Sequence, residues 1–147
     1  MRKPLAEFIG TAFLLAGVMG SGIMAERLTD DVGLQLLANA GATVGVLYAI
    51  ILMFGPVSGA HFNPVVTLSD AALTKRSWSD VTPYIVAQIA GGAVGVMLAN
   101  LMFELDAINM SDKVRDGSGQ YIAEVVATFG LVFLIFSLVR TGRDALA

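Results

Sequence analysis

The sequence predicts an all-α membrane protein with four transmembrane helices and one re-entrant half-helix. Three observations carry that prediction. The chain is 56% hydrophobic and only 14% charged, which excludes disorder and argues against a water-soluble domain. Four apolar runs reach the length of about 20 residues that a helix needs to cross a bilayer. Between the second and third runs lies a polar, glycine-bearing turn, Ser58-Gly59-Ala60-His61-Phe62-Asn63-Pro64-Val65.

The first span covers residues 5–25 and carries one acid, Glu7, near its start. Arg2 and Lys3 before an apolar run mimic a secretory leader, but the run is too long and lacks a clean small-residue cleavage site, so it reads as a retained span. Gly10, Gly17, Gly20 and Gly22 leave grooves for close helix approach. After a polar connector, residues 26–31, the second span covers residues 33–54. Gly41 and Gly45 form a GxxxG pair, a packing signal, and Asn39 and Thr43 are its notable polar residues. Gly55-Pro56 reads as the break that ends it.

Asn63 is a favoured N-cap, and Pro64 suits the first helical position, where no intrahelical N–H bond is lost. From there a short apolar helix is predicted over residues 64–74, roughly half of what a span needs. Such a helix is tolerated at membrane depth where the irregular backbone before it lines a wet cavity or is buried in protein. Lys75 and Arg76 then place positive charge at its C-terminus.

Ser79 and Asp80 can cap the third span, residues 81–103, with Pro83 in the first turn. Gln88, Gly91, Gly92 and Gly95 make one side small and polar. A polar connector, residues 104–120, leads to the fourth span, residues 121–139, followed by Arg140 and Arg143. The lysine and arginine distribution predicts a cytoplasmic N-terminus. Arg2, Lys3, Lys75, Arg76, Arg140 and Arg143 then fall inside, and Arg27, Lys113 and Arg115 outside, provided the half-helix enters and leaves on one side.

Composition narrows the chemistry. Without cysteine there is no disulfide, Cys-based metal site or thiol catalysis. A single histidine makes a multi-His metal site implausible, and a net charge of −3 offers no basic footprint for nucleic acid. No nucleophile–base constellation argues for an enzyme, and no nucleotide loop argues for active transport. No metal or cofactor is expected; the expected surroundings are the lipid bilayer.

An internal similarity is visible. Ala6-Glu7-Phe8-Ile9-Gly10-Thr11 resembles Ala123-Glu124-Val125-Val126-Ala127-Thr128, and Leu14 and Leu131 continue the register. An odd number of crossings separates the copies, which is the arrangement of an inverted repeat. A carboxyl group within a span is costly and by default functional or paired. Glu7 and Glu124 are read as braces for loop N–H groups rather than as proton carriers.

The first-span residues Ala6-Glu7-Phe8 with Gly10-Thr11, the octet with Val66-Thr67, and Gln88 with Gly91 and Gly92 together resemble the aquaporin (major intrinsic protein) family, in a bacterial form. The resemblance implies a pore built from six spans and two half-helices, with four monomers usually assembled as a homo-oligomer. It implies an aquaporin-like fold here as an incomplete inverted repeat. Residues 1–110 would be the first repeat and residues 111–147 the start of the second. Asn63 resembles the first of the family's two pore asparagines. Val65 stands where the family's Asn-Pro-Ala motif has alanine, which reshapes the junction of the half-helix tips. Thr43 aligns with a position of the narrow filter that is bulky and aromatic in water-selective members. Its plainer reading is a bond to its own helix.

The expected function is a passive channel for water or small uncharged solutes, such as metalloid hydroxides or glycerol-like polyols. The alternative is a non-conducting half-channel that only interacts with membrane partners. The expected mechanism uses the half-helix N-terminus at Asn63, Pro64 and Val65 as a positive pole for a solute oxygen. The Asn63 amide donates, and the carbonyls of Gly59, Ala60, His61 and Phe62 form an acceptor ladder. His61 is read as a buried support for the loop rather than a proton shuttle. The expected location is the inner (plasma) membrane, with both termini cytoplasmic.

Overall fold

The computed structural model describes residues 2–74, 76–110 and 116–142. Lys75, Lys113, Arg115 and Arg143, which enter the orientation count, lie outside the described residues. Helices α1 (Arg2–Leu28), α2 (Val32–Ser58), α3 (Pro64–Leu73), α4 (Val81–Met102) and α5 (Ser118–Arg140) follow in order, with one 3₁₀ turn, Trp78–Asp80, before α4. Four of them are long and apolar enough to cross a membrane, and α3 is the short one at 10 residues. This is an all-α, multi-pass membrane protein. The chain forms two compact units, Met1–Asn109 with α1 to α4 and Met110–Ala147 with α5.

In the first unit α1 is central and packs against both α2 and α4. Glycine sets the α1–α4 distance. A methyl group built on Gly91 would collide with the Phe8 carbonyl, and one on Gly95 with the Ala12 carbonyl. Side chains are therefore absent where the two backbones touch, the usual way membrane helices gain close packing. The pairs Phe8–Gly91, Ala12–Gly95 and Gly20–Phe103 advance together, so α1 and α4 run parallel. The α2 contacts run the other way: Asn39 Nδ2 donates to Val18 O at 2.7 Å and to Ser21 Oγ at 3.0 Å, while Gly17 faces Val46. Gly41 and Gly45 were expected to pack. A methyl added at either would meet nothing within 4 Å, so the pair makes no packing contact among the described residues.

The boundaries of α2 differ from expectation at one end. The helix continues through Gly55 and Pro56 to Ser58. Proline removes one ladder hydrogen bond, which a packed membrane helix tolerates. The helix stops at Gly59, whose φ of +92° suits glycine and whose N–H closes on Gly55 O at 3.0 Å. Asp31 caps the other end, its carboxylate accepting from Leu34 N at 3.0 Å. At the far end of α1, Arg27 Nη2 donates to Phe103 O at 2.5 Å and its guanidinium lies 5.2 Å from the Phe103 ring centre. That clamp joins the C-terminal ends of α1 and α4.

Because Ser58 at the end of α2 meets Glu7 near the start of α1, the chain leaves α2 at the end of the unit where α4 also begins. The segment between them, α3 included, enters and leaves at that same end. It is re-entrant by geometry.

Candidate functional site

The loop Gly59–Asn63 is wound tightly. Gly59, Ala60 and Phe62 all have positive φ, +92°, +52° and +47°. For alanine and phenylalanine this region is strained, by about 1–3 kcal/mol each, so the surroundings must hold it. Glu7 does most of the holding. Its side chain is fully buried, at 0% exposure. Oε1 accepts from Ser58 Oγ at 2.5 Å and His61 N at 3.1 Å; Oε2 accepts from Phe62 N at 2.7 Å and Gln88 Nε2 at 2.8 Å. Ser58 Oγ also accepts from Ala60 N at 3.1 Å. The Phe62 ring fills the space that Gly10 leaves open and meets Phe54 edge-on at 6.1 Å.

The N–H groups of Ala60, His61 and Phe62 are thus all taken. The carbonyls are not. Among the described residues no donor bonds to the carbonyl oxygens of Gly59, Ala60, His61 or Phe62. The first loop carbonyl with a partner is that of Asn63, which accepts from Thr67 N at 3.1 Å and Thr67 Oγ1 at 3.2 Å.

Asn63 caps α3. Its Oδ1 accepts from Val65 N at 2.8 Å, and Pro64 takes the first helical position. The cap fixes which end of the amide faces the helix, leaving the Nδ2 end turned away from Val65 N. Among the described residues Nδ2 donates to no protein group. Asn63 and Pro64 are half-buried, and Val65 is exposed.

A second layer supports the loop. His61 Nδ1 lies 3.0 Å from Thr67 Oγ1, and Nε2 lies 3.4 Å from Arg76 Nη2 and 3.6 Å from Asp70 Oδ2. Arginine has only donors, so the contact with Arg76 calls for a lone pair on Nε2 and the proton on Nδ1. Thr67 Oγ1 then accepts from His61 and from Gln88 Nε2, the latter at 2.9 Å, while donating to Asn63 O. Burial lowers the His61 pKa below the ordinary 6.5, and Arg76 acts in the same direction, against the pull of Glu7 and Asp70. The neutral imidazole follows from both arguments. Arg76 is tied by an Nε hydrogen bond to Asp70 and lies 5.0 Å from the Tyr84 ring centre. Tyr84 Oη donates to Ser58 O at 2.8 Å.

The structure therefore brings Gly59, Ala60, His61, Phe62, Asn63, Pro64 and Val65 into one loop and helix tip, with Glu7 of α1 bonded to the loop. It does not bring Thr43 into that hydrogen-bond network: its hydroxyl donates to Asn39 O at 2.8 Å, inside α2. Glu124 stands in the second turn of α5, in the second unit. Sequence reasoning missed Tyr84, and it named Thr67 and Gln88 only as parts of the family-like pattern and of a polar side, without a role in holding the loop. A signal existed: Tyr84, Gln88, Gly91, Gly95 and Ala99 recur at helical spacing, and all are buried on α4. Polar groups on such a stripe in a membrane helix indicate an internal partner.

Fold and site together define a helical membrane protein with a half-length helix whose capped tip is preceded by a row of backbone acceptors with no donor among the described residues. The sequence matches the profile described as Major intrinsic protein over residues 1–146, and the chain belongs to that family. It is similar to the aquaglyceroporin AqpS of Rhizobium meliloti (strain 1021), 46% identical over 98% of this chain and 62% of that protein. It is also similar to the glycerol uptake facilitator protein of Streptococcus pneumoniae (strain ATCC BAA-255 / R6), at 29% identity over 94% of this chain and 64% of the relative. The probable aquaporin NIP4-2 of Arabidopsis thaliana is 31% identical, over 97% of this chain and 50% of its own length. The chain thus spans between 50% and 64% of the length of these relatives.

Proposed function

We propose that this chain supplies one half of the wall of a passive pore for water or small uncharged solutes of the glycerol or metalloid-hydroxide kind. The observation that carries the reading is the opposition within one loop. Among the described residues four successive carbonyls, Gly59 to Phe62, have no donor, and the Asn63 amide donor at the helix tip follows them directly. A hydroxylic solute both donates and accepts. It would exchange hydration for carbonyl acceptors along the loop and meet a donor at the tip.

The end of α3 adds a positive pole. Its first N–H groups lack helical partners, and the aligned dipoles concentrate up to roughly half a positive charge there. That favours a solute oxygen and opposes cations, hydrated protons included. Glu7 acts as the brace that presents the ladder, and Glu124 is assigned the corresponding role for a second loop. His61, neutral and wedged between Thr67 and Arg76, supports rather than carries protons. Residues 1–110 act as the first repeat and residues 111–147 as the start of an inverted second one. The names of the similar aquaglyceroporin and glycerol facilitator support a polyol-sized solute, and a small Thr43 fits a wide opening. We further assign an inner-membrane location, cytoplasmic termini and a homo-tetramer.

Stopped-flow swelling of proteoliposomes tests the reading. With the pore complete, glycerol and water should both enter faster than in empty liposomes, and Asn63→Asp should slow entry. If the 147-residue chain swells no faster than empty liposomes, it is the non-conducting half-channel by itself. If a chain carrying both repeats also fails, the pore reading falls.

A further inference from the structure

At the end of the unit where α1 and α4 both begin lies a cavity of about 750 Å³, lined by Arg2, Lys3, Pro4, Asp80, Pro83 and Tyr84. It is separate from the loop's carbonyl row and plays no part in the proposed pore. Its chemistry divides cleanly. The apolar part of the lining is two proline rings and the ring of Tyr84, which is 1% exposed and whose hydroxyl is already taken by Ser58 O. The ionic part has cations from α1 and one anion, Asp80, from the 3₁₀ turn before α4. Among the described residues neither Arg2 nor Lys3 has an ion-pair partner, and Asp80 neither forms an ion pair nor caps its own helix.

Position selects the ligand class. Both helices are of spanning length and start at this cavity, which places it at a membrane–water boundary. Trp78, 61% exposed and beside Asp80, is a residue type enriched at headgroup depth. A cavity at that depth whose lining combines apolar rings with charges of both signs matches a zwitterionic lipid headgroup. We propose that it binds a phosphatidylethanolamine headgroup, with the phosphodiester between Arg2 and Lys3 and the ammonium donating to Asp80. The upper glycerol region rests on Pro4, Pro83 and Tyr84. An anionic phosphatidylglycerol satisfies the cations but offers Asp80 only neutral hydroxyl donors, weaker than an ammonium. Phosphatidylcholine offers a methylated ammonium with no N–H to donate.

Native mass spectrometry of the full chain, released from micelles doped equally with dioleoyl phosphatidylethanolamine, phosphatidylglycerol and phosphatidylcholine, tests this. Phosphatidylethanolamine should be retained over each of the others by about fivefold, the value of one partly exposed charge-assisted bond. Asp80→Asn should remove that preference while leaving total lipid retention within about twofold. Arg2→Gln with Lys3→Gln should lower retention of all three lipids by up to roughly thirtyfold, as expected for two cations near a headgroup layer. Equal retention on the parent chain, or an unchanged preference in Asp80→Asn, overturns the proposal. Asp80 is exposed and makes no side-chain bond among the described residues, so this variant should fold and decides the matter even if the double variant inserts poorly.

Discussion

The two edges of the loop at residues 60–62 face opposite chemical circumstances. On the N–H edge every donor is bonded, to Glu7 or to Ser58. On the C=O edge, one bond away along the same backbone, no acceptor has a partner among the described residues. A strained loop can in this way be both rigid and receptive. Saturating one edge with a buried carboxyl group fixes the peptide planes, and the other edge then keeps its oxygens unbonded without needing contacts of its own. A pair of glycine motifs repeats the contrast on a larger scale. Gly91 and Gly95 are pressed against the α1 backbone, whereas Gly41 and Gly45 face open space.

The largest effect should come from breaking the saturated edge. Glu7→Ala leaves Ser58 Oγ, His61 N, Phe62 N and Gln88 Nε2 without their acceptor. With about 1–3 kcal/mol for each buried unsatisfied donor, stability should fall by more than about 3 kcal/mol. Unfolding in mixed detergent followed by circular dichroism measures it, and a loss below about 1 kcal/mol, roughly one unsatisfied donor, would mean that the loop is held by something else.

The glycine contrast comes next. Gly91→Ala and Gly95→Ala each place a methyl against a carbonyl and should cost about 1–3 kcal/mol. Gly41→Ala and Gly45→Ala meet nothing and should stay within about 0.5 kcal/mol of the parent chain. Equal losses for both pairs would erase the distinction between packed and open stripes.

Asn63→Asp separates the donor from the cap. The carboxylate keeps an acceptor for Val65 N, so stability should change by less than about 1 kcal/mol. The Nδ2 donor is gone, so solute entry in the swelling assay should fall while the unfolding curve hardly moves. Parallel loss of both would reduce Asn63 to a cap.

The smallest effect is that of pH. Burial lowers the His61 pKa in the folded chain below its ordinary 6.5, so the neutral form is the one the fold favours. Its contribution is fully present above pH 6.5 and is lost as the pH falls through the depressed folded value. Thermal midpoints should decline on acidification below pH 6.5, and His61→Gln should flatten that decline. An identical pH profile in the variant would assign the decline to other groups.

Much of this arrangement was legible in the residues. Long apolar runs without charge can only be helices in a bilayer, because every backbone group must be satisfied internally. Asn63-Pro64 announced a helix start, and Glu7 announced a buried partner by being an acid in a span. The end of α2 was less legible. Gly55-Pro56 suggested a stop, yet the helix continues to Ser58, because packing tolerates one lost ladder bond. The roles of Tyr84, Thr67 and Gln88 were hidden as well, since each bonds a residue distant in sequence.

The order of residues was enough to settle which segments are helical, where the half-helix is capped, and which groups are too polar to stand unpartnered in lipid. These are consequences of local composition and of the bilayer's demand for satisfied backbone. Which glycine pair meets a backbone, and which four donors gather on Glu7, emerged only from the packing in three dimensions. Small-residue spacing on α2 and α4 looks alike in one dimension. The parallel placement of α4 beside α1 is what turns one stripe into an interface and leaves the other open.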